Sequence, residues 1–215
     1  MPPDQNAILN LIEILGKNNI PAFYLESRAE AFDKVMAMIP EGSTVGFGDS
    51  LTLREIGVVM ALEEGPYHFL NPWEKGITVE ESIRRKRQGL IAEVFVSGSN
   101  ALTLDGKIVN VDGHGNRVAA LLFGPERVII VIGVNKIVKN LEEALARIRD
   151  KAAPLNVKRH PEFDPQPPCG VTGECSDCSS PWRICNKTVI IERQFNNNKY
   201  KPVLSLIMVG ETLGL

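Results

Sequence analysis

Short apolar segments alternate with amphipathic ones along most of the chain, and this alternation restricts the fold more than any other feature. Residues 127–132 form an apolar run after an initial arginine, which is typical of a strand buried on both faces. Ile8, Leu11 and Leu15 instead repeat at helical spacing. Strands that alternate with helices predict an α/β fold with a mostly parallel sheet flanked by helices.

The same patterns place the individual elements. Strands are predicted at residues 22–25, 44–48, 67–70, 93–97, 127–132, 188–192 and 203–209. Ser27, Thr78 and Asn140 are predicted to cap helices. Asp105-Gly106, between two apolar segments, is a strong hairpin signal and adds an antiparallel element. The last two strands are expected to close the sheet or to form a terminal ribbon.

The composition excludes several classes of protein. The chain has 215 residues, of which 44% are hydrophobic, enough for one core with a small appendage. Its net charge of -2 gives no general attraction to nucleic acid or anionic lipid. No apolar run approaches the roughly 20 residues that cross a bilayer, and the N-terminus has no pattern of a signal peptide. We therefore expect a cytoplasmic protein without a membrane span or a nucleic-acid partner.

The hydrophobic periodicity is lost between Pro154 and Asn186, where prolines accumulate and all the cysteines occur. A long irregular segment of this kind needs another source of order. We therefore divide the chain into an α/β core (1–153), a cysteine-rich metal-binding segment (154–187) and C-terminal strands that complete the core (188–215).

The cysteines Cys169, Cys175, Cys178 and Cys185 have the spacing C-x5-C-x2-C-x6-C. The x2 pair directs two thiolates at one metal, and four thiolates complete a tetrahedral zinc site or hold an iron–sulfur cluster. Neither the two C-x2-C pairs of zinc ribbons nor the ferredoxin run is present, so the spacing does not choose the metal. The alternatives are two disulfides or four free thiols, and the clustering favours a metal site over both.

A turn from strand to helix is the second candidate site. Its residues Gly46, Gly48, Asp49, Ser50 and Thr52 offer backbone N–H groups where a phosphate or carboxylate could bind, and glycine allows close approach. In the alternative, this is a tight turn in which Asp49 or Ser50 only caps the helix. The turn alone does not decide between the two.

The third candidate site is the loop 110–117, which leaves a strand and enters a short helix. Asp112, His114, Asn116 and Arg117 concentrate hydrogen-bonding groups there, and Gly113 permits unusual backbone angles. Arg117 is predicted to hold a carboxylate through two parallel hydrogen bonds. In the alternative, Asp112 or Asn116 caps the next helix, Arg117 is solvated, and His114 is incidental.

The basic run 84–87 and His160 are interpreted as having no part in ligand binding or metal binding. The basic run 84–87 lies on a predicted helix and is typical of a solvated helix face in a nearly neutral protein. His160 lies near the cysteines, but four thiolates already fill a tetrahedron.

Several motifs follow one another along the chain. They are residues 46–57, Val94-Phe95-Val96-Ser97-Gly98-Ser99-Asn100-Ala101, Asp105-Gly106, residues 109–120, and Phe123-Gly124-Pro125 before the hydrophobic segment 129–136. This order resembles that of the LUD domain family of lactate-utilisation proteins across nearly the whole chain.

The resemblance implies a fold like that of the sugar-phosphate isomerases and CoA transferases, with a ligand cleft at strand ends. Gly98 and Asn100, from the second motif, therefore join the predicted anion-binding residues. The resemblance also implies a part in the oxidation of lactate to pyruvate alongside iron–sulfur partner proteins. That context favours a [4Fe-4S] cluster at the cysteines, with Zn²⁺ as the alternative, although the cysteine segment marks only a subgroup of the family.

Two functions of different classes follow. The first is an accessory subunit with a metal or iron–sulfur centre, preferred because no Rossmann fingerprint, P-loop or Ser-His pair is present. The second is an enzyme of the isomerase or CoA transferase-like fold that binds a phosphate- or carboxylate-bearing small molecule. In that enzyme Glu55 or Asp112 would be the base and Arg117 would orient the anion.

Overall fold

The computed structural model describes residues 3–160, 164–197, 199–201 and 203–215. It contains two β-sheets with helices packed on them. The helices are α1 (Gln5–Lys17), α2 (Arg28–Ala37), α3 (Leu51–Glu55), α4 (Val58–Glu64), α5 (Val79–Gln88), α6 (Asn116–Leu122), α7 (Leu141–Arg147), α8 (Ala153–Lys158) and α9 (Pro168–Thr172). The strands are β1 (Ala22–Leu25), β2 (Thr44–Phe47), β3 (His68–Leu70), β4 (Val94–Ser97), β5 (Ala101–Thr103), β6 (Ile108–Asp112), β7 (Arg127–Gly133), β8 (Ile137–Val138), β9 (Lys187–Ile191) and β10 (Leu204–Val209). Residues 161–163 of the predicted cysteine-rich segment, and Asn198 and Pro202 of the predicted C-terminal part, lie outside the described residues. Within the described residues, every helix is too short or too polar to cross a membrane.

The larger sheet has the strand order β1-β10-β7-β4-β2-β3, and all neighbouring strands are parallel. The apolar run predicted at 127–132 is β7, which lies in the interior of the sheet. Ile130 and Ile132 pack with α1 on one face, whereas Ile129 and Val131 pack with α2, α3 and α4 on the other. The predicted α/β fold with a mostly parallel sheet flanked by helices is therefore confirmed.

The smaller sheet, in the order β8-β5-β6-β9, contains the predicted hairpin. β5 and β6 are antiparallel, and Gly106 in the turn has a φ of +85°, which glycine adopts without steric cost. The predicted hairpin is therefore confirmed. β8 was not predicted, because two residues are too few to show a period.

The two C-terminal strands enter different sheets. β9 pairs antiparallel with β6 in the smaller sheet, whereas β10 lies between β1 and β7 in the larger one. The predicted terminal ribbon is therefore wrong, because these strands do not pair with each other. β10 instead fills the interior of the larger sheet, and for this reason its residues are almost all buried.

The helix after β8, which the sequence predicts to run from Asn140 towards Ala152, extends further. α7 passes through a π-helical turn (Ile148–Ala152) into α8, which ends at Lys158. Pro154 lies inside this continuous helical stretch, just after the π-helical turn. The irregular part of the cysteine-rich segment therefore begins after Lys158, and the end of α8 brings Arg159 to the turn that follows β2.

Candidate functional site

A cleft of about 1490 Å³ opens at the carboxyl ends of several strands. Gly48 and Asp49 directly follow β2, Gly98 directly follows β4, and Lys136 lies in the short turn after β7. Because the carboxyl ends of parallel strands lie at the same edge of a sheet, these residues meet although they are far apart in the chain.

The cleft brings together most of the predicted ligand-binding residues. Those that line it are Gly48, Asp49, Ser50, Gly98, Asn100, Asp112, Gly113, Asn116 and Arg117. The lining formed by the described residues does not include Gly46, Thr52 and Glu55. Both glycine-containing loops therefore converge on one cleft, as the enzyme hypothesis requires.

The predicted site residues outside the cleft lining have other contacts. A Cβ atom on Gly46 would lie 2.7 Å from Phe95 Cδ2, so glycine is required there for packing inside the sheet. Thr52 is fully buried. Glu55 is exposed, and its Oε2 accepts a hydrogen bond from the Gly214 N–H group at 2.7 Å. The catalytic role of Glu55 stays a prediction.

The turns after β2 and β4 pack closely against each other. A Cβ atom on Gly48 would lie 2.4 Å from Ser97 Oγ, and one on Gly98 would lie 2.8 Å from Ser50 Oγ. Ser50 Oγ also accepts a hydrogen bond from the Leu53 N–H group at 3.2 Å, so Ser50 caps α3 in addition to lining the cleft. Glycine at positions 48 and 98 therefore allows the two turns to pack together as one wall of the cleft.

The Arg117 guanidinium joins the loops after β4 and β6. Its acceptors are Asp112 Oδ2 (3.2 Å), Asn110 Oδ1 (2.6 Å), Asn100 Oδ1 (3.1 Å), Val111 O (2.7 Å) and Gly98 O (3.5 Å). A guanidinium has five N–H donors, so each donor of Arg117 already has a partner within the protein. The carboxylate clamp predicted for Arg117 stays a prediction, while these contacts give the side chain a positioning role.

Asp112 is the acidic partner of this arginine. Its side chain is 8% exposed, and its Oδ1 accepts a hydrogen bond from the Gly115 N–H group at 2.7 Å, just before α6. Both carboxylate oxygens are therefore engaged, one by Gly115 and one by Arg117. The role of Asp112 as a base stays a prediction.

Asp49 organises a second group of charges. Its backbone has a φ of +49°, and its carboxylate accepts hydrogen bonds from Arg159 and, at 3.2 Å, from His160 Nε2, while Arg54 Nη2 lies 3.7 Å away. Burial alone would raise the pKa of Asp49, but the hydrogen bond from His160 and the charges of Arg159, His160 and Arg54 hold it below its usual value. Asp49 is therefore an ionised anchor for cationic groups of the cleft.

Polar residues that were not predicted to bind a ligand also line the cleft, among them Lys86, Lys136, Arg159 and His160. Lys86 is half-buried, and burial lowers its pKa. The interpretation of the basic run as a solvated face is therefore wrong for this residue. Lys136 is only 6% exposed, and burial together with the charges of Arg147 and Arg117 lowers its pKa to about 7.

The cleft carries an excess of positive charge. Among the described residues that line it, eight are Lys or Arg and three are Asp or Glu, whereas the whole chain has a net charge of -2. The arginines Arg117 and Arg159 are paired with Asp112 and Asp49. The remaining excess makes the cleft attractive to small anions.

All four cysteines line one small pocket of about 30 Å³. Cys169 is buried in α9, Cys175 is exposed, and Cys178 and Cys185 are half-buried. Burial, followed by the proximity of Cys169, raises the pKa of Cys185 to about 11. Within the described residues, no group of three or more His, Cys, Asp or Glu side chains is arranged to hold a metal ion. The chemistry of the four thiols suits a soft metal.

The cysteine pocket adjoins the cleft. Arg183, Ile184 and Cys185 line both. The Asn186 N–H group donates to the carbonyl oxygen of Asp112 at 3.1 Å, so the end of the cysteine segment packs on the third predicted loop.

Comparisons with known proteins show what the chain is similar to. The profile of the LUD domain family matches residues 8–204. The chain is similar to a solved DUF162 family protein from Deinococcus radiodurans, with 14% sequence identity, a TM-score of 0.52 and coverage of 95% of this chain and 97% of that chain. Ribose 5-phosphate isomerase A from Neisseria gonorrhoeae is also similar, with 14% identity, a TM-score of 0.35 and coverage of 60% of this chain and 65% of that chain. A search of curated proteins gave no match.

The family profile extends over most of the chain, and the similarity to the DUF162 structure extends over nearly all of it. The profile match identifies the family, and the DUF162 structure shows a similar fold. The chain belongs to the LUD domain family, the family of lactate-utilisation proteins that its motifs resemble.

Proposed function

We propose that the protein binds a small molecule with a carboxylate or phosphate group in the cleft and that it acts in lactate utilisation. The observation that carries this proposal is the excess of basic side chains, eight against three acidic ones among the described lining residues. A concave surface with one dominant sign of charge concentrates ligands of the opposite sign. Lactate and pyruvate, the molecules that the family context implies, are both small carboxylates.

Two lysines of the cleft, Lys86 and Lys136, are withdrawn from water. Among the described residues, neither Lys86 nor Lys136 forms an ion pair with a carboxylate, although both line the cleft. A partly buried cation without a counter-ion is unfavourable unless a ligand provides the opposite charge. Lys86 is therefore the proposed cationic contact of the anion, the Lys136 amine is proposed to lie beside it, and Arg117 and Asp49 hold the loops around it.

The four cysteines are proposed to hold a metal centre beside this cleft, a [4Fe-4S] cluster or alternatively Zn²⁺. Their common pocket supports this, and a bound cation would reverse the tendency of burial to keep the thiols protonated. A cluster would supply electron transfer and fit an accessory subunit that works with iron–sulfur partner proteins, whereas zinc would only order the segment.

Catalysis on the bound anion is the second candidate function. It is favoured by the convergence of His114, Lys136 and His160 on the cleft, since such groups can transfer protons or act as nucleophiles. Asp112 and Glu55 remain proposed bases, although both carboxylates are engaged by backbone N–H groups.

Thermal-shift titration with lactate, pyruvate, phosphate and CoA tests the anion site. A ligand at a hundred times its Kd should stabilise the fold by about 2.7 kcal/mol, which raises Tm by about 5–10 °C for a chain of this size. Lys86→Met should weaken binding about tenfold, through the loss of one charge-assisted contact. Lys17→Met, on the exposed surface of α1, is the matched control. If none of the anions stabilises the wild-type protein, the proposal fails.

Anaerobic purification with metal analysis and absorption spectroscopy tests the cysteine centre. We expect bound iron with a cluster absorption band, or bound zinc without one. Cys178→Ser should lose the metal, whereas Ser176→Ala, in the same loop, should keep it. A wild-type protein that contains no metal and has four titratable thiols would rule the centre out. Growth on lactate after deletion of the gene tests the pathway, and unimpaired growth would remove that assignment.

A further inference from the structure

Lys136 is a buried lysine without a carboxylate partner. Its side chain is 6% exposed, and its Nζ atom donates to Thr52 Oγ1 at 3.1 Å. Within the described part of the chain it forms no ion pair. Fully buried lysines are rare and are otherwise paired or neutral, so its burial beside a cleft calls for a functional explanation.

The position of Lys136 is fixed by the elements around it. It lies in the turn directly after β7, where the Val134 N–H group donates to the Glu211 carbonyl oxygen at 3.2 Å. On one side the backbone of Gly214 is so close that a Cβ atom there would lie 2.8 Å from Nζ. On its other side the residue lines the cleft. A reacting group needs this kind of fixed geometry.

The surrounding charges favour the neutral amine. Burial is the largest factor that lowers the pKa of Lys136 to about 7, and Arg147 on α7, Arg117 on α6 and Arg159 after α8 act in the same direction, while Glu55 on α3 opposes them. A large fraction of the amine is therefore unprotonated near neutral pH. Only the unprotonated amine is a nucleophile.

We propose that Lys136 is a nucleophile that forms a Schiff base with a carbonyl compound that carries an anionic group, such as a 2-oxo acid or a keto phosphate. This inference rests on the proposed anion site, since the cationic cleft would hold the carboxylate or phosphate beside the amine. In the reaction, the nitrogen lone pair forms a bond to the carbonyl carbon. The carbonyl oxygen then takes both amine protons and leaves as water, so that a C=N bond remains.

Reductive trapping tests this proposal with the full chain. The protein is incubated with pyruvate or with dihydroxyacetone phosphate, reduced with sodium borohydride and examined by mass spectrometry. We expect a mass gain equal to the carbonyl compound less one oxygen atom, located on Lys136 by peptide mapping. Lys136→Met should give no adduct, whereas Lys139→Met, which removes a nearby exposed lysine, should react like the wild type. The two probes distinguish an oxo acid from a keto phosphate.

Lactate separates failure of this proposal from failure of the anion site, because it has the carboxylate but no carbonyl group. If lactate and pyruvate both raise Tm and no adduct forms on Lys136, the Schiff base is ruled out and the anion site stands. If neither these acids nor phosphate compounds bind, both proposals fall together. Labelling spread equally over exposed lysines would also overturn the assignment. Mapping of the wild-type adduct decides the matter even if Lys136→Met does not fold.

Discussion

Replacing Arg117 with alanine should destabilise the whole fold and not only weaken ligand binding. The side chain is 14% exposed, and its partner Asp112 is 8% exposed. Without the guanidinium, the buried Asp112 carboxylate keeps the Gly115 N–H group as a partner but has no cation. Removing one member of a buried ion pair costs about 3–5 kcal/mol.

The loss of the other four hydrogen bonds of Arg117 adds less to this free-energy cost. Three of the acceptors belong to Gly98, Asn100 and Val111, which line the cleft, where water replaces much of what is lost. The fourth, Asn110 Oδ1, is a neutral oxygen of a buried residue. We therefore expect the free energy of unfolding to fall by about 4 kcal/mol, and Tm to fall by about 8–16 °C, since each kcal/mol shifts Tm by about 2–4 °C at this size.

Urea denaturation followed by circular dichroism measures the effect. Arg84→Ala is the control, because Arg84 pairs with Glu81 on the exposed face of α5 and should leave stability unchanged within error. In a double-mutant cycle with Asp112→Asn, the two losses should be non-additive, because the residues share one ion pair. If Arg117→Ala lowers the free energy of unfolding by less than about 1 kcal/mol and weakens anion binding, the guanidinium is a ligand clamp and the positioning argument is wrong.

Two further perturbations test the walls of the cleft. Gly48→Ala should cost about 1–3 kcal/mol, because the new atom would lie 2.4 Å from Ser97 Oγ. Gly16→Ala in α1, where nothing lies within 4 Å, should instead add about 0.5–1 kcal/mol, and equal effects in urea denaturation would contradict the packing argument. Asp49→Asn should destabilise the protein near neutral pH but much less in acid. Burial raises the pKa of Asp49, but His160 and the neighbouring arginines lower it more, so its stabilisation is present above the ordinary value of about 3.9 and is lost as pH falls through the folded value. A difference between wild type and variant that is the same at acid and neutral pH would exclude this.

The sheet elements were predictable where the information is local. β7 and the hairpin at Asp105-Gly106 follow from runs of a few residues and from one turn. Strand pairing was not predictable, because an apolar run has the same pattern whichever strand pairs with it. β9 and β10 therefore looked alike in sequence but belong to different sheets.

The loops of the cleft were predictable from the sequence, but its basic side chains were not. Glycines beside polar residues marked the turns after β2 and β6, whereas Lys136 stands in an apolar stretch that gives no sign of its surroundings. Arg159 reaches Asp49 only because the helix continues through Pro154, a residue that suggested an end. Lys86 was assigned to a solvated run, yet neighbouring helical positions point about 100° apart. Lys86 therefore faces the cleft while Arg84 pairs on the surface.

The cysteine segment contacts the cleft, so that the two candidate sites are physically linked. Lys187 Nζ donates to the Gly113 carbonyl oxygen at 2.9 Å, and Asn186 donates to that of Asp112. The segment that a metal would order is thus hydrogen-bonded to the loop whose Asp112 fixes Arg117. Order in one region lowers the conformational entropy cost of order in the other. If the cysteines bind the proposed metal, that metal and an anion in the cleft should therefore raise each other's affinity by the same factor. The metal would then affect ligand binding without touching the ligand.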